Sequence, residues 1–288
     1  MGSKTGRRAV WACALALASA LASALVGPVA AGDLAAVPPA GAKLDLTYEI
    51  YAGGINGATF DIEVTLPAPG RDGVYATRVR ATTLGVVALF APWRLDTLSE
   101  GRRDDGTLLA GRFRNADTWR DRTKTVEIDF AGEGRPVVTM DPPNTETDRP
   151  PISDEQLGGA LDPISALSRL ILDSTQGCPG RTAIYDGRRR YDMVASPLGE
   201  RDYKASAQNP FEGSATGCHI TFERVAGFKP GEGRRGLQGA AVEVWLGKAL
   251  DGQAPMPVRL EMDTGWGTML GHLVRVRGGD GTVLYSRR

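Results

Sequence analysis

Acidic and basic side chains balance at 34 each over 288 residues; the first 31 hold three of the basic ones and no acidic one, so without them the balance is 31 against 34. A net charge of −3 excludes a general electrostatic attraction to nucleic acid. The 257 residues left when 31 are taken from 288 suffice to bury on the order of 70–75% of their unfolded surface, in one large domain or two closely packed halves.

Residues 1–31 have the three-part pattern of an export signal. Lys4, Arg7 and Arg8 supply the positive start, Ala9 to Val26 the apolar run, and Val29-Ala30-Ala31 the small residues for cleavage before Gly32. The pattern predicts removal of 1–31, a flexible segment over 32–42, and a periplasmic mature chain without an integral membrane span. A retained anchor is the other reading, since about 20 apolar residues span a bilayer; Gly27-Pro28 breaks the run just before the cleavage candidate.

Strands follow. Leu44, Leu46, Tyr48 and Ile50 alternate with polar residues, as do Phe60, Ile62, Val64 and Leu66, and later Val126, Ile128 and Phe130. A period of two with one apolar face is what half-buried antiparallel strands need. Gly53-Gly54, Asn56-Gly57, Asp72-Gly73 and Asp105-Gly106 are turn signals between them. The most apolar stretch of the mature chain, Leu84 to Trp93, is too short to cross a bilayer as a helix. It reads either as a buried connection between strands or as a lid over an apolar cavity, with Leu89, Phe90 and Trp93 meeting a bound acyl chain.

Four prolines between Asp141 and Ser153 mark an extended connector over 141–153, between β-rich halves at 43–140 and 154–288. A common sheet through both halves is as consistent with the pattern as two domains. One short helix is expected in the second half: Asp162 suits the N-cap and Pro163 the first turn, Ile164, Leu167, Leu170 and Ile171 form the apolar stripe, and Gly177 ends it.

Once Cys13 is removed, Cys178 and Cys218 remain, an even number in a compartment that permits disulfides. Cys218 shares the inward face of its strand with Ile220 and Phe222, and a bridge to Cys178 would close a loop of about 41 residues. Asp186-Gly187 predicts a tight turn with Tyr185 and Arg188 as the first cross-strand pair. Arg188, Arg189 and Arg190 then lie on alternating faces, which favours structural ion pairs over their alternative role as an anion or partner site. Further alternation at Val258, Leu260 and Met262 and at Val274 and Val276 completes the β pattern. Thr264 to Gly271 reads as a bulge or second rim carrying Trp266 and Met269 as further ligand candidates.

These motifs, in this order, are similar to one family. Tyr51-Ala52-Gly53-Gly54, Leu161-Asp162-Pro163-Ile164-Ser165-Ala166-Leu167, Tyr185-Asp186-Gly187-Arg188-Arg189-Arg190-Tyr191-Asp192 and Pro257-Val258-Arg259-Leu260 resemble the exported proteins of Gram-negative bacteria called domain of unknown function 3108. The resemblance covers about residues 44–286 and implies a periplasmic, β-rich protein without an assigned activity.

No nucleophile elbow, zinc helix, Cys-x-x-Cys pair or phosphate loop occurs, and no cofactor, metal site or catalytic residue is expected. His219 and His272 both sit in strand patterns, and Asp61 and Glu63 occupy the solvent side of theirs. The fold expected is mainly β: an antiparallel, strongly curved sheet forming an open barrel or spiral. The function expected is non-enzymatic binding of a lipid or acyl chain, or of an envelope-protein partner, in support of envelope integrity. The alternatives are a hydrolase of an envelope polymer and a structural adaptor with a filled core.

Overall fold

The computed structural model describes residues 43–67, 71–130, 132, 134–146, 148–229, 241–264 and 267–286. The expected export signal, the 32–42 segment and Trp266 lie outside the described residues.

The chain forms β1 (Leu44–Ala52), β2 (Ile55–Thr65), β3 (Gly73–Thr83), α1 (Gly85–Phe90), β4 (Trp93–Asp104), β5 (Thr107–Trp119), β6 (Arg122–Asp129) and β7 (Val137–Asp141). Then follow α2 (Asp154–Leu157), α3 (Pro163–Leu172), β8 (Gly180–Tyr185), β9 (Arg190–Tyr203), β10 (Gly213–Ala226), β11 (Val242–Gly247), β12 (Met256–Thr264), β13 (Gly267–Gly278) and β14 (Val283–Ser286). All strand pairings are antiparallel, in one sheet with the order β7-β6-β5-β4-β3-β2-β1-β13-β12-β11-β10-β9-β8, and β14 pairs with β13. The chain therefore starts at the middle of the sheet, walks out to one edge, crosses to the other edge and walks back until β13 pairs with β1. One sheet runs through both halves.

Local sequence explains most boundaries. Gly53 and Gly54, with φ of 57° and 82°, make the turn between β1 and β2. Asn56-Gly57 is not a turn: it lies inside β2, where the missing Cβ of Gly57 leaves room for Val87 of α1. The expected single helix is joined by two shorter ones. α2 carries a capping box, with Ser153 and Gln156 bonding each other's backbone. α1 stops at Ala91-Pro92, because the residue before proline is driven out of helical conformation.

The crossing segment explains the interior. To pass from β7 to β8 it runs over one face of the sheet, and α3 packs against β3, β4, β5 and β8. The sheet curls around it: Tyr185 of β8 shares an apolar cluster with Phe113 and Ile128 of β5 and β6. A Cβ on Gly187 would stand 3.0–3.3 Å from side chains of Val126, Val138 and Met140. The barrel nevertheless stays open, since β7 and β8 end the order without pairing. Leu161 instead bonds the free edge of β8, donating to the Ala183 carbonyl and accepting from the Tyr185 amide.

The buried face of α3 differs from the expected stripe. Ser165, Ala166, Ser168, Leu170 and Leu172 are buried and Leu167 is exposed, because the strands facing the helix present hydroxyls as well as apolar side chains. On its other side Cys178 and Cys218 are joined in a disulfide, with Cα atoms 5.7 Å apart. Cys218 is completely buried with Ile220, Val244 and Leu246 in the cluster that receives Ala166 and Leu170.

Candidate functional site

A buried group of polar side chains lies between α3 and the sheet, and it is sealed. Asp162, fully buried, caps α3 by accepting from the amides of Ile164 and Ser165 at 2.9 and 3.0 Å. Its second oxygen accepts from Ser99 at 3.0 Å and from the Ser165 hydroxyl. Ser165 and the Tyr75 hydroxyl lie 2.6 Å apart, and Thr77 and Ser168 3.0 Å apart. Burial pushes the Asp162 carboxyl above its ordinary range, against hydrogen bonds from Ser165 and Ser99 that lower it. Burial also pushes the Tyr75 phenol far upward. Ser99 and Ser165 have no solvent exposure and no histidine beside them, so this cluster locks a helix to a sheet and offers no nucleophile to a substrate. Gly101 completes the lock, because a Cβ there would overlap the Tyr75 hydroxyl and the Leu109 carbonyl.

Two open clefts flank the N-terminal turn of α3. One, of about 560 Å³, lies between the starts of β3 and β5 and the α2 segment, with Val74, Leu109, Phe130, Leu157 and Leu161 in its lining. The other, of about 610 Å³, lies between the inner face of β4 to β6 and the β8–β9 turn. Thr97 donates to Asn115 at 2.7 Å on its floor, the Trp93 indole donates to Asp117 at 2.9 Å, and Arg188, Arg189 and Tyr191 stand on the far wall.

The three arginines go three ways. Tyr185 pairs with Arg190, not Arg188. The turn is four residues long because Asp186 accepts from the amides of both Arg188 and Arg189, at 2.9 and 2.7 Å. Arg189 is bound to Asp186 at 2.8 Å, and Arg190 is buried against Asp192 and the carbonyls of Gln156 and Tyr191. Arg188 reaches the cleft, with Nε 3.2 Å from the Met140 sulfur and Nη1 3.9 Å from Glu146. They do not converge on one point.

The apolar candidates gather at one end of the sheet without closing over a cavity. Val87 anchors α1 beside Gly57, while Leu89 and Phe90 are 79% and 74% exposed. The segment is thus not a buried connection: a helix of six residues at the sheet's end has a neighbour on one side only. Trp93 packs near Phe60, with ring centroids 6.1 Å apart, and Met269 pairs with Ala52 and Met262 in the strands.

The histidines are strand residues, His219 on β10 and His272 on β13. His272 is 1% exposed, meets Tyr51 edge-on at 5.8 Å, and is pushed down to about 4, first by burial and then by Arg259. A ring held neutral and shielded from solvent is poorly placed as a base. Glu63 is held below its ordinary range by hydrogen bonds from Arg80 and Lys43, and Asp61 accepts from Thr47. Among the described residues no group of three His, Cys, Asp or Glu could hold a metal ion, and no helix is long and apolar enough to cross a membrane.

The polar seam is the feature that pattern reading misses. Two signals were present: Thr77 alternates in phase with Tyr75 and Val79, and Thr97 and Ser99 in phase with Leu95, away from Arg78, Asp96 and Glu100, while Ser165 and Ser168 follow the Asp162 cap at a spacing that puts two hydroxyls on one helix face.

The chain is similar to the crystal structure of a beta-barrel-like protein of domain of unknown function DUF1849 from Brucella abortus, at 14% identity and a TM-score of 0.46, over 84% of this chain and 99% of that one. No curated protein matches it. Residues 47–274, from β1 into β13, match the family described as Protein of unknown function (DUF3108), and the chain belongs to that family.

Proposed function

We propose that this is an exported, non-enzymatic protein of the cell envelope that acts as an adaptor, through its outer surface and open clefts, and does not carry lipid in its interior. The observation that carries this reading is α3 lying across the concave face of the sheet, tied down by Asp162, Ser165 and Ser168. A carrier needs an apolar volume of roughly 300 Å³ or more. The pocket beside the end of α3, lined by Leu46, Ile171 and Met256, has about 60 Å³, and the two larger volumes, of about 560 and 610 Å³, are clefts open to solvent and not an enclosed interior.

Three of the four acidic residues lining the larger cleft, all but Asp141, are engaged, which weighs against the hydrolase alternative. Asp117 accepts the Trp93 indole, Asp186 its own turn, and hydrogen bonds from Arg149 and Lys229 hold Glu146 below its ordinary range, unsuited to donate a proton. The signal-like N-terminus and the Cys178–Cys218 bridge support export to an oxidising compartment.

Osmotic-shock fractionation of the native host, followed by lipid extraction and native mass spectrometry of the recovered protein, tests the reading. Recovery in the shock fluid with an N-terminus near Gly32 and no stoichiometric lipid is expected. One lipid per chain would overturn the filled-core adaptor, and retention in the cytoplasm would overturn export.

A further inference from the structure

Antiparallel neighbours send alternate turns to the same end of the sheet, so the β1–β2 turn, α1 and the β5–β6 turn sit side by side. Contacts confirm the adjacency: the Leu84 amide donates to the Gly57 carbonyl, and the Arg120 amide donates to the Pro92 carbonyl, each closing a gap between one turn and the next. Trp119 pairs with Trp93 at the first position of β4. Ile55, Val86, Leu89, Phe90 and Trp119 are each more than half exposed on these three turns. Scattered exposed apolar residues are ordinary, but five on adjacent tips are not. At the opposite end the most exposed large hydrophobics are valines, Val74, Val137 and Val283, with no aromatic among them.

Charge accompanies the apolar tips. Arg94, Arg120, Arg122 and Lys124 are exposed at this end and form no ion pair among the described residues. Their acidic neighbours are Asp117, already bound by Trp93, Asp121, and Asp141, which pairs with Thr125 beside Lys124. An excess of unpaired cations around Leu, Phe and Trp side chains has the chemistry of a surface that meets anionic headgroups with its charges and the acyl boundary with its tips.

We infer that the α1 end of the sheet docks on an anionic phospholipid bilayer, seating Leu89, Phe90 and Trp119 at the headgroup boundary while Arg94, Arg120, Arg122 and Lys124 meet lipid phosphates. The tips protrude from separate turns; a fluid bilayer accommodates separate knobs, whereas a protein partner would need a matching socket for each. This inference rests on the adaptor reading and names its partner.

Co-sedimentation with vesicles tests it, using wild type and variants of identical N-terminus as defined by intact mass, so that residues 1–31 cannot account for any difference. Wild type should bind vesicles of equal parts phosphatidylglycerol and phosphatidylcholine and should bind phosphatidylcholine alone far more weakly. The double variant L89S/F90S should lose at least about tenfold in partitioning, and each of Arg120→Gln and Arg122→Gln about fivefold. Both sets lie at exposed positions, and unchanged thermal unfolding would show that the fold is kept. Quenching of tryptophan fluorescence by brominated phosphatidylglycerol should fall in Trp119→Phe. Absence of vesicle binding, or binding undiminished in L89S/F90S, would overturn the inference and leave the adaptor reading standing. Stoichiometric lipid inside a protein that still ignores vesicles would overturn both.

Discussion

Ser99 of β4 donates a hydrogen bond to Asp162, the N-cap of α3, at 3.0 Å across 63 residues of chain. One carboxylate thereby ends a helix and fastens it to the sheet. Each half of the chain is a meander that needs something to pack its concave face against, and the segment joining the halves provides it. The anchor is polar because a helix end buried against strands has amides that must be satisfied.

Asp162→Ala should cost about 3 kcal/mol or more, combining the lost cap with the stranded hydroxyls of Ser99 and Ser165. Asp162→Asn keeps one acceptor oxygen and should cost clearly less. Urea unfolding of the three proteins checks this. Equal losses for the two variants would show that α3 is held by apolar packing alone.

Replacing Cys178 and Cys218 together with serine should lower stability by about 2–4 kcal/mol. The bridge spans 40 residues of sequence and ties the segment after α3 to β10 in the middle of the second meander. Reduction of the wild type should reproduce the loss. Peptide mapping of unreduced protein should yield a single cross-linked pair, and two freely alkylated thiols would exclude the bridge.

Gly187→Val should cost much more than Arg189→Ala. The φ of 89° at Gly187 is hostile to a β-branched residue, and a side chain there would press on Val126, Val138 and Met140, where the two edges of the sheet meet. Arg189 is 39% exposed at its side chain and pairs within its own turn, so its truncation should fall below about 1 kcal/mol. Matching losses on thermal unfolding would contradict the edge-to-edge contact.

The strands were legible where one face is apolar and the other polar, as in Leu44 to Ile50 and Phe60 to Val64, and Asp162-Pro163 announced the start of α3. Thr97 and Ser99 share the phase of Leu95, opposite Arg94, Asp96 and Glu100, but hydropathy scores a buried hydroxyl as it does an exposed one, so that phase was the one local sign of their burial. Leu89 and Phe90 show the converse: an apolar run signals a need for cover, and nothing in the sequence says whether the chain itself supplies it. The Tyr185–Arg190 register escaped because turn length depends on which amides Asp186 accepts, a matter of geometry and not of composition. The neighbours of Arg188 lie more than 40 residues away, at Met140 and Glu146, so no local pattern could place it in a cleft.

His272 should make stability fall on the acid side. Its pKa is pushed down to about 4 by burial and by Arg259, against pulls upward from Glu261 and Glu49, while in the unfolded chain it titrates near 6.5. Between those values the unfolded state binds the proton and the native state does not, so stability is full above about pH 6.5 and declines as the pH drops toward 4. The gap corresponds to a loss on the order of 3 kcal/mol. Nδ1 is buried without a hydrogen-bond partner, so His272→Phe should keep the edge contact with Tyr51, strand no other group and remove this part of the acid dependence. Carboxylates such as Asp192, held below its ordinary range by Arg190 and Arg181 although burial opposes them, lose their contribution at lower pH and do so equally in both proteins. The measurement is therefore the difference between wild type and His272→Phe in urea unfolding at about pH 7 and about pH 4. The variant should gain relative to the wild type as the pH falls, and a difference that stays constant would mean that the His272 ring is protonated, or solvated, in the native fold.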